Sequence, residues 1–246
     1  MLKVLKKLRT LLLIIFLTLS CTTNKFPTHV VESFVEVKVS VVFLACNKKT
    51  DRCKLNKDVE WRGVGSGSVV STNSLGSFIL TAEHVCRDVT RDPELLDFIG
   101  SDVIKAKKNQ YVKSEIRYKI VSFQGQVVAA DVINQDEELD ACILFAENLR
   151  QKPLKRFYKP LEIGKTYYNV ASPRNTFTPG TVPLLEGRYV GRKNAAASAF
   201  TIPCAPGSSG SPVIDDKGRL VGMIHSVVAG FNQVCYSSNL ALLNKF

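Results

Sequence analysis

The chain has 246 residues, of which 45% are hydrophobic, so it is long enough and apolar enough to bury a real core. No internal repeat is visible, which excludes a repeat architecture. The net charge is +11, but the positive residues are spread through 105–119 and 152–165 without a recognisable nucleic-acid motif. We therefore expect a solvated basic surface and no specific nucleic-acid partner; binding to anionic lipid or to acidic envelope polymers is the alternative.

The first twenty residues are typical of an export signal. Residues 1–9 are basic without an acid, residues 11–19 are apolar, and Ser-Cys follows. The apolar run is shorter than the about 20 residues that span a bilayer. We therefore predict a signal peptide over 1–20 and a periplasmic or extracellular protein. Cys21 is a candidate for lipidation and membrane anchoring, although Thr18 stands where the usual lipobox has leucine; ordinary signal cleavage and a retained anchor are the alternatives.

Most of the remaining chain has the pattern of β-structure. Short runs rich in β-branched and aromatic residues alternate with clusters of Gly, Pro, Asn, Asp and Lys, and helical periodicity is scarce. The predicted strands cover residues 35–44, 67–71, 78–81, 118–123, 127–133, 142–145, 167–171, 199–202 and 220–225. Short helices are predicted over 92–98 and 239–246.

A polar turn over residues 203–213 has the composition that a nucleophilic serine needs. Ser209 lies between Gly207 and Gly210, and an apolar run begins at Pro212. Glycines let the backbone fold sharply, so that N–H groups can point at a developing oxyanion. An ordinary surface turn or linker is the alternative.

Two further residues lie at strand ends and complete a candidate triad. His84 follows the apolar run at 78–81, and Asp140 leads directly into the apolar run at 141–145. Each has a structural alternative, because a histidine at a strand end is often structural and an aspartate there can cap the strand. The order His-Asp-Ser is one of the known triad orders, whereas an α/β-hydrolase would run Ser-Asp-His.

Taken together, the motifs resemble those of chymotrypsin-like serine proteases, closest in style to HtrA-type and glutamyl-endopeptidase-type bacterial domains. The similar segments are GSGSVV at 65–70, TAEH at 81–84, ELDACIL at 138–144, GSSGSP at 207–212 and LVGMI at 220–224. The three active-site motifs are specific in combination, while the connecting segments are not. The resemblance covers about residues 60–243.

The resemblance implies an all-β fold of two six-stranded antiparallel β-barrels with the active site in the cleft between them. We expect a tether over 21–33, a first barrel over 34–150 and a second over 151–246, because 151–159 is polar and basic. No segment then remains for a PDZ-type domain after the second barrel, in contrast to full-length HtrA-type enzymes.

The resemblance also assigns roles within the triad. His84 would act as general base, Asp140 would orient it, and Ser209 would attack the peptide bond to form an acyl-enzyme. The N–H groups of Gly207 and Ser209 would form the oxyanion hole. The implied substrates are proteins or peptides, without a cofactor. A non-catalytic protein-binding or chaperone-like module on the same fold is the alternative.

Ser208 departs from the digestive proteases of the family, which carry at this place an aspartate that pairs with a new N-terminus. No Ile-Val-Gly-Gly start is present either. We therefore predict activity without N-terminal processing of that kind. The sequence leaves the oligomeric state open.

Substrate preference is weakly encoded. By the resemblance, the specificity pocket would be lined by Thr201, Cys204, Ala205, His225, Ser226 and Val227. Glutamyl endopeptidases read acidic residues with a histidine in the second of these strands, but here His225 lies one residue further from the preceding glycine. Because a one-residue shift moves a side chain to the other strand face, we expect no selectivity role for His225; a reader of acidic side chains is the alternative.

The seven cysteines suit an exported protein, because setting Cys21 aside for a lipid leaves an even number. Cys46 and Cys53 bracket a short polar segment and could staple a loop or hairpin. None has the Cys-x-x-Cys spacing of a zinc site, so we expect no structural metal.

The other four cysteines lie near the candidate triad. The resemblance implies a disulfide between Cys204 and Cys235 that braces the specificity pocket. Cys86 and Cys142 each lie two residues past a triad candidate. For this pair a disulfide and two buried free thiols are both open.

Overall fold

The computed structural model describes residues 27–87, 109–228 and 230–239, with the backbone alone for 56–61. The described strands are β1 (Phe34–Asn47), β2 (Cys53–Thr72), β3 (Gly76–Thr81), β4 (Gln110–Ser122), β5 (Val127–Asp136), β6 (Ala141–Glu147), β7 (Thr166–Val170), β8 (Leu184–Arg192), β9 (Ala197–Phe200), β10 (Pro212–Ile214), β11 (Leu220–Val228) and β12 (Phe231–Asn239). Helices α1 (His29–Glu32) and α2 (Glu83–Cys86) and the 3₁₀ turn Pro173–Asn175 complete them. No helix in these ranges has the length and apolar character needed to cross a membrane.

The strands close into two antiparallel barrels of six strands each, which confirms the predicted fold class. The first has the order β1-β2-β3-β6-β5-β4 and the second the order β10-β11-β12-β9-β8-β7. Strand β1 shows how the sequence produces this. Val37, Val39 and Val41 are buried while Lys38 is exposed, so alternate residues face the barrel interior and the outside.

A cluster of buried side chains joins the two barrels. Leu80 and Ile143 come from strands of the first barrel, and Ile214 and Met223 come from strands of the second. Each such side chain contributes about 1.5–3 kcal/mol when fully buried. This shared cluster fixes how the barrels sit against each other, and with them any site that draws residues from both.

The strand predictions hold better for some segments than for others. Every predicted strand overlaps an observed one, but β2 begins much earlier than predicted, and β8, β10 and β12 were not predicted as strands. Strand β8 is interrupted by glycine and charged residues, and β12 by uncharged polar residues, so both sequences show little apolar alternation. The helix predicted over 92–98 lies outside the described residues, as does the one over 239–246 except for Asn239, which ends β12.

The end of the predicted tether is packed against the barrels. Val30 is fully buried in the cluster between them, and the Val69 N–H donates to the Ser33 carbonyl at 2.9 Å. Gly218 packs directly against Val30, because a side chain at Gly218 would collide with the Val30 side chain. Residues 27–33, the described end of the predicted tether, are thus packed into the fold, and the tether bounds of 21–33 stay a prediction. Cys21 and the predicted signal peptide lie outside the described residues.

The cysteine pairs are formed. Cys46 and Cys53 are register partners in the β1–β2 hairpin and are disulfide-bonded. Cys204 is bonded to Cys235 in β12, as the resemblance implied.

Cys86 and Cys142, for which free thiols were the alternative, are also bonded. This disulfide ties α2 to β6.

Loss of the Cys86–Cys142 disulfide should cost more stability than loss of the Cys46–Cys53 disulfide. The two bridges close loops with sequence separations of 56 and 7 residues, and the entropy that a cross-link removes from the unfolded chain grows with loop length. We expect the double variant C86S/C142S to lower the free energy of unfolding by about 4 kcal/mol, and C46S/C53S by about 2 kcal/mol. Urea unfolding measures both; equal losses would contradict this ranking.

Candidate active site

His84 and Asp140 face each other where two paired strands meet their flanking turns. His84 lies in α2, just after β3, and Asp140 directly precedes β6, and these two strands are hydrogen-bonded neighbours. His84 Nδ1 is 2.8 Å from Asp140 Oδ2 and 3.0 Å from Oδ1. The His84 backbone N–H donates to Oδ1 at 3.0 Å. The carboxylate therefore fixes both the ring and the backbone of the histidine.

The surroundings of Asp140 favour its ionised form. Burial raises the pKa of Asp140, but the hydrogen bonds that it accepts from the His84 ring and backbone N–H outweigh burial and hold that pKa below its ordinary value. An ionised carboxylate can only accept, so His84 Nδ1 donates and Nε2 is left free to take a proton. This is the tautomer that a general base needs.

The Cys86–Cys142 disulfide braces the same pair covalently. It joins the last residue of α2 to the second residue of β6, two positions beyond His84 and Asp140 respectively. The Tyr118 hydroxyl also donates to the Cys86 carbonyl at 2.5 Å. The histidine-bearing helix is thus held to the aspartate-bearing strand by more than its own hydrogen bonds.

Ser209 lies in a tight turn that depends on its glycines. Gly207 has φ +96° and Gly210 has φ +86°, a region that residues with a side chain rarely adopt. A side chain at Gly207 would strike the Ser172 carbonyl, and one at Gly210 would strike the Ser66 carbonyl. The Gly-Ser-Ser-Gly composition is therefore required by both conformation and space.

Two N–H groups of this turn are available to a ligand. The Pro206 carbonyl accepts from the Arg174 N–H at 2.7 Å, and the Ser208 carbonyl accepts from the Ser211 N–H at 3.0 Å. In a trans peptide the N–H points opposite to the carbonyl, so the N–H groups of Gly207 and Ser209 face away from these partners. Among the described residues, neither N–H group donates a hydrogen bond. Unpaired backbone donors at a recessed position suit an anionic oxygen.

Ser66 connects this turn to the first barrel. Its backbone N–H donates to the Ser209 carbonyl at 2.8 Å, and its hydroxyl donates to the Gly207 carbonyl at 2.7 Å. The Ser172 N–H donates to the Ser66 hydroxyl at 3.0 Å, and the Thr81 hydroxyl donates to the Ser66 carbonyl at 2.7 Å. The hydrogen bonds of Ser66 therefore connect the Ser209 turn to Thr81, the last residue of β3 before the histidine helix. This role of Ser66 could not be inferred from the segment 65–70 alone, because it depends on contacts with residues far away in the sequence.

Gly65 shows how near the two parts of the site lie. A side chain there would be 2.8 Å from Val85, the residue after His84, and 3.3 Å from the Ser209 carbonyl. Gly65 in β2 is therefore the residue that lies between the histidine helix and the serine turn. Val85, which follows His84, and the Ser209 carbonyl therefore both lie next to Gly65.

A pocket of about 360 Å³ opens beside Ser209. Its lining residues are Cys204, Ala205, Pro206, Ser208, Ser209, Ile224, His225, Ser226 and Val227. Five of the six predicted pocket residues lie here, and Thr201 does not. Thr201 stands between Phe200 and Ile202, which are fully buried, so alternation turns it to the exposed side, where its hydroxyl accepts from the Arg188 N–H at 2.9 Å.

His225 contacts the candidate triad from the second barrel. A register shift between Ile224 and Ser226 in β11 marks a bulge at His225, and bulges re-aim side chains. Its Nδ1 is 3.7 Å from Asp140 Oδ2, the oxygen that also contacts the His84 ring. Two imidazoles therefore flank one carboxylate, a contact that sequence reasoning missed because it depends on the bulge.

The ring of His225 is largely buried, with 19% of its side chain exposed. Burial lowers the pKa of His225, and this outweighs the opposing attraction of Asp140. His84 and Lys193 lower that pKa further. His225 is thus a neutral group beside the Asp140 carboxylate at neutral pH.

Removing His225 should flatten the pH dependence of stability. The unfolded chain takes up a proton at this histidine near pH 6.5, while the folded state resists it, so the free energy of unfolding falls as pH drops below about 6.5. His225→Asn removes this proton uptake, and we expect a smaller loss between pH 6.5 and about 5 than in the wild type. Urea unfolding across this range measures it, with Ser226→Ala as the control that keeps the wild-type slope. Identical slopes in wild type and His225→Asn would refute the assignment.

Within residues 27–87, 109–228 and 230–239, no group of three or more His, Cys, Asp or Glu is arranged to hold a metal ion. The described groups of the site are the Ser209 hydroxyl, the His84 imidazole, the Asp140 carboxylate and the backbone N–H groups of Gly207 and Ser209.

Comparison with known families agrees with this arrangement. The sequence model of the trypsin-like peptidase domain matches residues 65–223, a range that contains His84, Asp140 and Ser209. The chain belongs to the trypsin-like peptidase domain family. The predicted relation to chymotrypsin-like serine proteases is thereby confirmed. No curated protein sequence matches the chain.

Solved structures share the fold at low sequence identity. The serine endoprotease from Yersinia pestis has a TM-score of 0.60 at 16% identity over 92% of this chain, which spans 65% of that protein's chain. A protease from M. tuberculosis in its active form has a TM-score of 0.60 at 14% identity, covering 90% of this chain and 82% of that one. Its inactive form has a TM-score of 0.58 at 14% identity, covering 91% and 88%.

Proposed function

We propose that the protein is an exported serine endopeptidase that hydrolyses peptide bonds through a triad of His84, Asp140 and Ser209. The observation that carries the proposal is the His84–Asp140 pair, with Nδ1 2.8 Å from Oδ2, placed across Gly65 from the Ser209 turn. A serine hydroxyl is a weak nucleophile at neutral pH and needs such an oriented base.

The reaction follows from these positions. His84 Nε2 takes the Ser209 proton as Oγ attacks the scissile carbonyl carbon, and Asp140 stabilises the imidazolium that forms. The negative charge on the carbonyl oxygen is bound by the N–H groups of Gly207 and Ser209. The imidazolium then protonates the leaving amine, the C–N bond breaks, and water hydrolyses the acyl-enzyme by the same steps.

The lining of the pocket beside Ser209 favours substrates with an uncharged side chain at the residue before the scissile bond. Its walls include Ala205, Pro206, Ile224 and Val227, and no carboxylate of a described residue lines it. A lysine or arginine would leave its charge without a partner there, which is costly. The ring of His225 is directed to Asp140 at 3.7 Å, which favours a structural role for it over the reading of acidic side chains.

The nucleophile turn is held by contacts within the described chain, which supports activity without zymogen cleavage. Ser208 is almost fully buried, and its hydroxyl accepts from the Ala205 N–H at 3.3 Å. The Arg174 N–H holds the Pro206 carbonyl, which keeps the Gly207 N–H turned to the other side. None of these contacts needs a newly cut N-terminus.

Export is proposed from the N-terminal sequence and the cysteines. The basic and apolar segments of residues 1–20 have the pattern of a signal peptide. The disulfides at Cys46, Cys86 and Cys204 suit an oxidising compartment. Lipidation of Cys21 would anchor the mature protein to a membrane, and mass spectrometry of the mature N-terminus distinguishes it from plain cleavage.

A fluorophosphonate probe tests the proposed nucleophile. We expect it to label the wild type covalently and not Ser209→Ala, whose kcat/KM on a peptide substrate should fall by at least about 1000-fold. Ser226→Ala, which removes a serine from the same pocket, is the matched control and should still be labelled. A folded wild type that is neither labelled nor active would instead indicate a non-catalytic binding module.

A further inference from the structure

A second groove, of about 330 Å³, lies on the outer face of the first barrel. We call this cavity the basic groove. It is lined by Lys38, Val39, Ser40, Arg62, Gly63, Val64, Lys119 and Asn175. Lys38 pairs with Val64 on one side and Lys119 on the other, so the three lie side by side across β2, β1 and β4. Arg62 lies two residues from Val64 and so shares its strand face.

The basic groove has an excess of positive charge. Among the described residues, three cationic side chains line it and no carboxylate does. Lys38 is paired with Glu36, whose Oε2 is 3.2 Å from Lys38 Nζ; Glu36 is almost fully buried and also accepts from the Ser172 hydroxyl at 3.4 Å. Among the described residues, Lys119 forms no ion pair. An anionic group of a ligand would therefore be attracted here.

Both walls of the basic groove are hydrogen-bonded to the nucleophile turn. On one wall, Arg62 and Ser66 lie on the same strand, β2, and the Ser66 N–H donates to the Ser209 carbonyl at 2.8 Å. Four residues of strand span about 13 Å. On the other wall, Asn175 belongs to the 3₁₀ turn in which the Arg174 N–H donates to the Pro206 carbonyl at 2.7 Å.

The basic groove is separate from the specificity pocket. The pocket is built from β11 and residues 204–209, and the two cavities share no residue. A peptide with one side chain in the pocket and its other half along β2 would extend toward the basic groove. At about 3.3 Å per residue, the third or fourth residue after the scissile bond reaches Arg62.

We propose that the basic groove binds acidic side chains in the leaving-group half of the substrate. The inference rests on the proposed endopeptidase function, and it names the substrate class: polypeptides with Asp or Glu three or four residues after the cleaved bond. The ammonium groups of Lys38 and Lys119 supply the attraction, which salt weakens because the groove is open to water.

Two peptides with the same acyl half test this directly. One carries Glu and the other Gln at the third and fourth residues after the scissile bond. We expect the wild type to cleave the Glu peptide with a kcat/KM about 3- to 10-fold higher, the range of one or two solvent-screened ion pairs, and through KM rather than kcat. The preference should shrink as salt is raised.

Charge-neutralising variants locate the effect. The double variant K38Q/K119Q should cleave both peptides equally, with an unchanged kcat/KM for the Gln peptide. Lys113→Gln is the matched control for the loss of a single charge. Lys113 is exposed and lies on the same strand as Lys119, but it pairs with Leu44 and does not line the basic groove. This control should keep the wild-type preference, whereas Lys119→Gln should lose part of it.

Three results would overturn the inference. Equal wild-type rates on the two peptides would remove the acidic preference. An equal loss in Lys113→Gln and Lys119→Gln would indicate the overall charge rather than the groove. Inhibition by a short oligonucleotide that K38Q/K119Q abolishes, without a peptide preference, would assign the groove to nucleic acid. Failure of the proposed function looks different, because neither peptide would be cleaved and Ser209 would not be labelled.

Discussion

The hydrogen bonds of Ser66 hold together a site whose parts come from two barrels. Its backbone and hydroxyl bind the carbonyls of Ser209 and Gly207, while its carbonyl accepts from Thr81 near the histidine helix. A buried hydrogen bond of this kind contributes about 1 kcal/mol net, but a buried carbonyl left without its partner costs about 1–3 kcal/mol. The geometry of the nucleophile turn therefore depends on one fully buried serine in β2.

The rest of the structure supplies rigid elements on either side of that junction. In the first barrel, β3, β6 and the Cys86–Cys142 disulfide fix the histidine against Asp140. In the second, the Cys204–Cys235 disulfide holds the segment that enters the turn. A displacement of about 1 Å between reacting groups can cost about 100-fold in rate, so the apolar cluster between the barrels bears on catalysis as well as on stability.

The sequence predicted the fold class and the triad candidates because these have local signatures. The Gly-Ser-Ser-Gly turn and the His84 segment can each be recognised from a few neighbouring residues. Their order along the chain reduces the number of fold classes that fit. What was not predicted depends on pairing between distant segments. The basic groove takes Lys38 and Lys119 from strands far apart in sequence, and His225 reaches Asp140 only because of a bulge. Thr201 was misplaced because its direction follows from the burial of its two neighbours.

The most direct measurement compares Ser66→Ala with Ser68→Ala. Both serines are buried in β2, but among the described residues the Ser68 hydroxyl has no hydrogen-bond partner. If Ser66 holds the nucleophile turn, Ser66→Ala should lower kcat/KM on a peptide substrate by about 10- to 100-fold while remaining folded, and Ser68→Ala should stay near the wild type. Equal activity of the two variants would contradict the account.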